Sequence, residues 1–483
     1  MTARLPTGAA IIARAMTDGR TARLSASLAF VGSLLGVIAL LAGSPGSARA
    51  QTAEPTAPAP VPGAASAPES AVARGAPALD AESAVLVEPV TGDVVYRRRP
   101  HQRRPIASTT KLMTALLVLE RESLKQVFTS PEYRPVFPDE SLIHLRRGER
   151  MTVADLLRGL LLASGNDAAI DLAANTTGSV ASFVAQMNRR AGQLGLADTH
   201  YSNPIGLDAP GNHSSASDLV SLAIRLRRRP WFAHTVDRGS ARLHGSGGAQ
   251  TVVNRNDLVR QVGFVNGVKT GHTPAAGYVL VGSGTRNGVT MVSAVLGDPG
   301  VFSRNADTLA LLRYGFSRYR SATVVARADV FARARARYRE QIKIRLVAAR
   351  AFSTVVRRGE PPPTVTVHAP SRLTGPLPVG RRVGRLDIRY RGHVIARVPL
   401  VTADAVPEVT LAARIVSFVL RPGSLALLIA LAIIIFLVGR RRRRGGQGTG
   451  RRVGGARDHH RHTQRRDRQD AGGSELSARP PPP

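Results

Sequence analysis

The hydrophobic and polar positions of the chain follow two different periods in its first ordered stretch. Residues 84–96 (AVLVEPVTGDVVY) form two β-rich runs on either side of a Thr-Gly pair, which predicts a β-hairpin. From Ser108 onward, apolar residues recur every three or four positions, at Leu112, Leu116 and Leu119. This spacing predicts a helix with one buried face.

Helical patterns continue through the middle of the chain, and strand patterns follow them. Helices are predicted at 152–176 with a break at Ser164-Gly165-Asn166, at 180–195, and at 213–230, where Ser and Asp can cap the start and Pro230 ends the pattern. Three strands are predicted at 264–271, 276–284 and 288–297, before a helix at 305–319. A hairpin, several helices, three strands and a closing helix predict an α+β domain over residues 80–320, in which helices flank an antiparallel sheet.

A second unit is predicted at residues 321–405. Its short alternating runs, such as TVTVHAP, RRVGRLDIRY and HVIARVPLV, are bounded by Gly and Pro and indicate a small all-β domain. Upstream of both units, residues 51–79 are rich in Pro, Ala and Ser and show no apolar periodicity, so we expect a flexible spacer there.

Two longer apolar runs predict export and membrane attachment. The run at 28–43 follows several arginines and precedes a small-x-small site, which predicts a signal peptide over residues 1–50, with an uncleaved anchor as the alternative. The run at 424–439, within a predicted anchor region at 411–439, is followed by five arginines. The positive-inside rule then predicts a single-pass protein of the cell membrane, with its body outside and a disordered basic tail (440–483) in the cytoplasm.

Composition changes this picture little. The 483 residues include no cysteine, so disulfides and thiolate chemistry are excluded, and the net charge is +34. Arginine is spread through every segment, which favours a compositional bias over a nucleic-acid interface, and we expect no nucleic-acid partner. The HHRH run at 459–462 lies in the basic tail and is interpreted as solvated. We expect neither a metal nor a cofactor.

Lysine is the informative residue, because only four of the 67 cationic side chains are lysine. Lys111 follows Ser108 by three positions, so the two share a helix face. A buried lysine can lose its proton and act as a base for a serine hydroxyl, whereas arginine stays charged. An S-x-x-K match alone is weak, since a chance match or a purely structural role is as reasonable.

Two further motifs strengthen the interpretation. Ser164-Gly165-Asn166 offers a hydroxyl to relay protons and an amide to bind a substrate or hold a lysine. Lys269-Thr270-Gly271 lies on a predicted strand, where glycine permits close approach to the backbone and the other two side chains can hold a carboxylate. Asp167 and Asp171 are expected to cap or pair rather than to catalyse.

S-x-x-K, S-x-N and K-T-G in this order are the motif set of penicillin-recognising serine enzymes. The phrases IASTTKLMTALLVLE, LLLASGNDAAIDLA and NGVKTGHTPAAGYVLVGSG resemble the D-alanyl-D-alanine carboxypeptidases among the low-molecular-mass penicillin-binding proteins. The resemblance implies a penicillin-recognising serine transpeptidase/β-lactamase-like domain, followed by a small all-β domain and a C-terminal transmembrane helix.

The resemblance also implies catalytic roles. Ser108 would be the acylated nucleophile, Lys111 its base, and Ser164 the residue that passes the proton to the leaving D-alanine.

The remaining motif residues would bind substrate. Asn166 and Lys269 would hold the substrate and the hydrogen-bond network, Thr270 the terminal carboxylate, and Gly271 would allow the backbone to come close. The backbone N–H groups of the nucleophile and of His272 would form the oxyanion hole, with the imidazole at the cleft edge.

The implied activity is removal of the terminal D-alanine from peptidoglycan stem pentapeptides, with β-lactams as covalent inhibitors. A class A-like β-lactamase is one alternative, disfavoured because no glutamate lies between the S-x-N and K-T-G motifs. A D,D-endopeptidase cleaves the same kind of bond and stays open, as does a non-catalytic scaffold that binds the cell wall.

Overall fold

A computed structural model describes residues 75–444 of the chain. The predicted signal peptide, almost all of the predicted spacer and the basic tail beyond residue 444 lie outside the described residues. Leu79, the last residue assigned to the spacer, is buried against the core of the first domain. The ordered domain therefore begins slightly before residue 80.

The first domain contains nine strands and eight helices. Its strands are β1 (Ser83–Glu88), β2 (Asp93–Arg98), β3 (Val127–Thr129), β4 (Arg150–Thr152), β5 (Ser240–Gly245), β6 (Gly248–Val253), β7 (Val265–Thr273), β8 (Gly277–Arg286) and β9 (Val289–Asp298). Its helices are α1 (Lys111–Arg121), α2 (Val153–Arg158), α3 (Asn166–Thr177), α4 (Val180–Gln193), α5 (Ala216–Arg227), α6 (Pro230–Val236), α7 (Asp257–Gln261) and α8 (Val301–Arg318).

A five-stranded antiparallel sheet with the order β2-β1-β9-β8-β7 forms the centre of this domain. Side chains alternate across it: Val85 on β1 joins the larger core with α1 and α5, whereas Leu86 joins a second core with α8. Because strand side chains point alternately to the two faces, helices cover both faces of the sheet. This confirms the predicted α+β arrangement, and β7 lies at the sheet edge, where the K-T-G motif meets the helices.

A second sheet, β3-β4-β5-β6, was not predicted. Its first two strands have three residues each, which is too short to display a period. The β5–β6 hairpin contains a polar Gly-Ser-Gly-Gly turn and exposes most of its side chains, and only Ala241 and Leu243 on β5 alternate with exposed neighbours. This sheet contributes Gln250 through Val253 to the wall of the cleft described below.

The second domain is all-β, as predicted, and has more strands than the sequence pattern indicates. The strands are β10 (Tyr319–Val325), β11 (Val330–Ala336), β12 (Arg339–Ala348), β13 (Phe352–Arg357), β14 (Thr364–His368), β15 (Arg372–Leu373), β16 (Arg382–Tyr390) and β17 (His393–Thr402). They form a two-stranded sheet, β10-β13, and a six-stranded sheet, β14-β16-β17-β12-β11-β15. Leu386, Val398 and Leu400 belong to its main core.

An ion-pair network connects the two domains. The Arg391 guanidinium, in the β16–β17 turn, donates to both oxygens of Asp93 at 2.7 and 2.8 Å and also to Glu360. Tyr319 O–H donates to the same Asp93 carboxylate at 2.7 Å. Asp93 begins β2, so the network holds the second domain to the sheet of the first.

Two helices follow the second domain: α9 (Leu411–Val419) and α10 (Pro422–Arg444). A 20-residue window of α10, Pro422–Arg441, has a mean hydropathy of 2.6 and contains no buried residue, so it is long and apolar enough to cross a membrane. The first five arginines of the predicted disordered tail continue this helix, which corrects the predicted boundary at residue 440.

Candidate active site

Ser108 lies in a tight turn that introduces α1. Residues Ala107–Thr110 form a 3₁₀ turn, and Ala107 has a left-handed backbone with φ of 45°. The Thr109 hydroxyl donates to the Ile106 carbonyl at 2.6 Å and fixes the turn. Ser108 is partly exposed between buried neighbours, so its hydroxyl faces the cleft at the positive end of α1. The helix itself begins at Lys111, three residues later than the pattern indicates.

Lys111 is completely buried beside this hydroxyl. Its Nζ lies 2.9 Å from Ser108 Oγ, 2.6 Å from Asn166 Oδ1 and 2.7 Å from the Ile205 carbonyl oxygen. Burial lowers the pKa of Lys111 to about 7, with a smaller contribution from the charge of Arg255 and against the opposing effect of the Glu140 and Asp167 carboxylates. Near neutral pH the amine can therefore lose its proton and accept one from the serine.

The S-x-N motif lies where the predicted break falls. A short π-helical segment, Gly159–Ala163, ends at Ser164, which has a left-handed backbone with φ of 65°, and α3 begins at Asn166. The Asn166 amide is fixed at both ends: its oxygen accepts from Lys111, and its nitrogen donates to Glu140 Oε2 at 2.7 Å. The amide therefore links the base to a carboxylate that lies 26 residues earlier in the chain.

Glu140 is a site residue that sequence reasoning missed. It lies in the long loop between β3 and β4, where no motif or period indicates a role. Its carboxylate accepts from the Tyr133 hydroxyl and from two backbone N–H groups at Val136 and Phe137. Although desolvation acts in the opposite direction, these bonds hold the pKa of Glu140 below its ordinary value, so it stays ionised beside Asn166.

The K-T-G motif brings the second buried lysine to the cleft. Lys269, on β7, donates to Ser164 Oγ at 3.0 Å and to the Thr270 carbonyl at 2.9 Å. Burial, followed by the charge of Lys111, holds the pKa of Lys269 well below its ordinary value. The three motifs thus meet at one cleft, in which each amine contacts one serine hydroxyl.

Gly271 permits this close meeting of β7 and the serine turn. A Cβ at this position would lie 3.0 Å from Ala107 Cβ and 3.1 Å from Ser108 N. Any larger residue at this position would force the serine turn to move by a few tenths of an ångström. The next residue, His272, is exposed, and its ring stacks on Tyr278 with 4.1 Å between ring centroids. Its imidazole lies at the cleft edge, where it was expected.

The cleft is lined by Ser108, Ser164, Thr270, Gly271 and His272 together with three arginines that were not predicted, Arg255, Arg260 and Arg304. Arg255 follows the small sheet, and Arg304, in the first turn of α8, is 5% exposed. In a chain with so many arginines, nothing in the sequence distinguishes these three. Asp139 and Asp257 also line the cleft, and Asp257 pairs with Arg260 at 2.6 Å. Arg255 and Arg304 supply the positive charge that suits the cleft to an anionic group.

The two aspartates near the S-x-N motif have structural contacts. Asp167 accepts from the backbone N–H groups of Ile143 and Leu145 at 3.0–3.1 Å, and Asp171 accepts from Ser130 and from Asn175. Both carboxylates hold the neighbouring loop, in agreement with the expected pairing role.

Comparison with known proteins assigns the family. The sequence model of D-alanyl-D-alanine carboxypeptidase matches residues 70–300, and that of the penicillin-binding protein 5 C-terminal domain matches 319–408. The chain is 31% identical over 334 residues to D-alanyl-D-alanine carboxypeptidase DacF of Bacillus subtilis, covering 68% of this chain and 86% of the relative. It is 33% identical over 354 residues to DacD of Escherichia coli K12, covering 70% and 90%.

A solved structure gives the same assignment over both domains. Penicillin-binding protein 5 of Haemophilus influenzae aligns with a TM-score of 0.50 and 29% identity, covering 69% of this chain and 99% of that one. The chain therefore belongs to the D-alanyl-D-alanine carboxypeptidase family of serine peptidases.

Proposed function

We propose that this protein is an exported, membrane-anchored serine carboxypeptidase that removes the terminal D-alanine from peptidoglycan stem pentapeptides through an acyl-enzyme on Ser108. One observation carries the mechanism: the buried Lys111 amine lies 2.9 Å from Ser108 Oγ. Its pKa of about 7 allows it to act as a base at neutral pH. The family supplies the substrate class, since its curated members are D-alanyl-D-alanine carboxypeptidases.

The proposed reaction has two halves. Lys111 accepts the Ser108 proton while Oγ attacks the carbonyl carbon of the penultimate D-alanine, and the N–H groups of Ser108 and His272 stabilise the oxyanion. Ser164, in contact with Lys269, delivers a proton to the departing D-alanine amine. Water then attacks the ester and releases the shortened peptide.

Substrate orientation follows from charge. The terminal carboxylate of the peptide would meet Thr270, with Arg255 and Arg304 on the same cleft wall. A β-lactam carries a carboxylate in the corresponding position, so the same groups would orient its ring carbonyl toward Ser108. Without rapid hydrolysis, the serine would remain acylated.

Anchoring is proposed from α10. Twenty residues of helix rise about 30 Å, which matches the hydrocarbon core of a bilayer. The arginines from Arg440 onward favour a cytoplasmic C-terminus, with both domains on the outer side.

The decisive experiment is intact-mass analysis of the chain after incubation with benzylpenicillin. We expect a single adduct on the wild type and none on Ser108→Ala. Ser141→Ala is the matched control, because Ser141 also lines the cleft and should acylate normally. Wild type that forms no adduct would contradict the acyl-enzyme mechanism.

The same proteins separate the alternatives. Release of D-alanine from a stem pentapeptide, abolished in Ser108→Ala, supports the carboxypeptidase, and hydrolysis of a cross-linked dimer to its two separate stem peptides supports the endopeptidase. Fast turnover of a chromogenic β-lactam would favour a β-lactamase. Equal pentapeptide hydrolysis by wild type and Lys111→Ala would favour the scaffold.

A further inference from the structure

One face of the second domain carries a cluster of cations. Arg333 and Arg335 on β11, Lys343 and Arg345 on β12, and Arg372 on β15 are all exposed; these five residues are called the cationic face. The residues that alternate with them on β11 and β12 are buried in a small core. The five cations therefore project from the same side of the sheet.

The strand register places these charges directly opposite one another. Arg333 pairs with Arg345, and Arg335 pairs with Lys343 on one side and with Arg372 on the other. Like charges at directly opposed positions destabilise a sheet. A general bias toward arginine does not explain why cations occupy directly opposed positions on neighbouring strands. The arrangement therefore points to an anionic partner that offsets the repulsion.

The face is only partly neutralised within the protein. Among residues 75–444, Glu340 contacts Arg335 and Arg372, and Asp404 contacts Arg345 at 2.7 Å. Two carboxylates for five cations leave three positive charges in excess. Arg333 and Lys343 have no carboxylate within ion-pair distance in this part of the chain, although both are exposed.

The position of the face indicates what the partner is. Asp404, bonded to Arg345, precedes the start of α9 at Leu411 by seven residues, which can span at most about 25 Å. The chain therefore passes directly from the cationic face to the exposed apolar helices α9 and α10.

We propose that the cationic face docks on the anionic phosphate headgroups of the bilayer that α10 enters. This inference rests on the proposed membrane anchoring. Each basic residue near an anionic surface should raise the docking equilibrium constant about fivefold. The cationic face would therefore be a second, salt-sensitive attachment to the membrane. It would set the orientation of the two domains above the membrane.

The test uses the full-length chain, which has no native cysteine. Gln341→Cys, on the exposed side of β12 two residues before Lys343, receives a donor dye. The labelled protein is reconstituted into vesicles of phosphatidylcholine, or of phosphatidylcholine with phosphatidylglycerol, that carry a headgroup acceptor. Energy transfer then reports the distance of the face from the bilayer surface.

We expect higher energy transfer in the phosphatidylglycerol vesicles than in the phosphatidylcholine vesicles. This difference should disappear in 1 M salt, where the Debye length is only about 3 Å and the attraction between charges is screened. Arg333→Gln with Lys343→Gln should lower the docked-to-undocked ratio about 25-fold, at about fivefold per charge. Its melting temperature should be unchanged or higher, because like-charge pairs are removed. Arg320→Gln with Arg358→Gln removes the same charge from the β10–β13 side of the domain and should leave transfer unchanged.

Different failures have different readings. Full-length protein that floats with both vesicles but shows equal transfer overturns the docking while leaving the anchor intact. Protein that floats with neither overturns both proposals. If energy transfer falls equally in the Arg333→Gln/Lys343→Gln and Arg320→Gln/Arg358→Gln variants, docking depends on total charge, and the assignment to the cationic face is overturned. Displacement of the face from anionic vesicles by dilute poly(glycerol phosphate), without displacement by free phosphate, would identify a wall polymer as the partner and overturn the lipid assignment.

Discussion

At the scale of single residues, burial explains where this chain uses lysine. Lys111 and Lys269 are 0% and 1% exposed, and both lie in the cleft, whereas Lys125 and Lys343 are exposed. The large cost of burying a charge shifts the equilibrium of a lysine toward its neutral form, which an arginine cannot adopt. The two buried lysines are therefore the cations whose protonation the site can change.

The first prediction follows from the lowered pKa of Lys111. Below about pH 7 the amine carries a proton and cannot accept one from Ser108. The rate of acylation by benzylpenicillin should therefore rise about tenfold per pH unit below this value and level off above it. Stopped-flow measurement across pH 5–9 checks this expectation, and a rate that is flat through pH 7 would contradict it. Lys111→Arg should be slower by about 10²-fold or more at every pH.

The second prediction concerns Asp298, at the end of β9. The residue is 1% exposed, and among the described residues no N–H or hydroxyl group donates to its carboxylate. Burial, with the neighbouring Asp307, raises the pKa of Asp298 to about 8. The folded state therefore holds a proton that the unfolded state releases near pH 4. The free energy of unfolding should fall as the pH rises from about 4 to 8, by at most about 1.4 kcal/mol per pH unit.

Asp298→Asn should remove most of this slope, because an amide does not titrate. Urea unfolding of the wild type and the variant at several pH values measures it. Asp329→Asn, at an exposed carboxylate, is the control and should keep the wild-type slope. Equal slopes in all three proteins would show that Asp298 is not the group responsible.

At the scale of elements, long buried segments were predictable and short or half-exposed ones were not. The three strands β7, β8 and β9 lie within two residues of their predicted bounds, because each is nine or ten residues long and forms a nearly continuous buried run. The small sheet was missed because β3 and β4 have only three residues each. In the second domain β11 and β12 were also missed, although their exposed and buried residues alternate and the period was there to be used.

The same distinction applies to the candidate site. Motif order predicts the residues of the three motifs, and the fold brings these together. Glu140, Arg255 and the Ile205 carbonyl join them through loops whose path is set by tertiary packing. The contact of a backbone carbonyl does not depend on which side chain the residue carries, so the sequence does not reveal it. A single functional arginine cannot be recognised in a chain that contains so many.

The third prediction tests the contact between β7 and the serine turn. Gly271→Ala places a methyl group about 3 Å from Ala107 and from Ser108 N, so the turn must move by a few tenths of an ångström. We expect the fold to be kept and the acylation rate to fall by about 10-fold to 10²-fold, because small displacements of a nucleophile are costly. Circular dichroism and acylation kinetics together measure this. Gly288→Ala, in the β8–β9 turn and far from the motifs, controls for a general loss of stability.

At the scale of the whole molecule, the junction between the domains depends on one arginine. Arg391 spans the Asp93 carboxylate of the first domain and the Glu360 carboxylate of the second. Both pairs are hydrogen-bonded and only partly exposed, so they contribute more than an isolated surface pair. They act together with the backbone connection between α8 and β10.

The fourth prediction follows from this junction. Arg391→Gln should lower the free energy of unfolding by about 1–2 kcal/mol and separate the melting of the two domains. Differential scanning calorimetry should then show a broader or split transition. Arg389→Gln, two residues earlier and also exposed, should melt as the wild type does. A single unchanged transition in both variants would contradict the coupling.

The two amines of the cleft have a consequence for ligand capture. The charge on Lys111 disfavours a proton on Lys269, so the empty cleft holds fewer protons than two ordinary lysines would. An arriving carboxylate favours the ammonium forms, and binding then draws protons from the solvent. Because the coupling between proton binding and anion binding is reciprocal, raising the pH lowers the affinity of the cleft for a carboxylate while it deprotonates Lys111. Substrate binding is thus favoured at low pH and acylation at high pH, so the enzyme should be most active at a pH between the two.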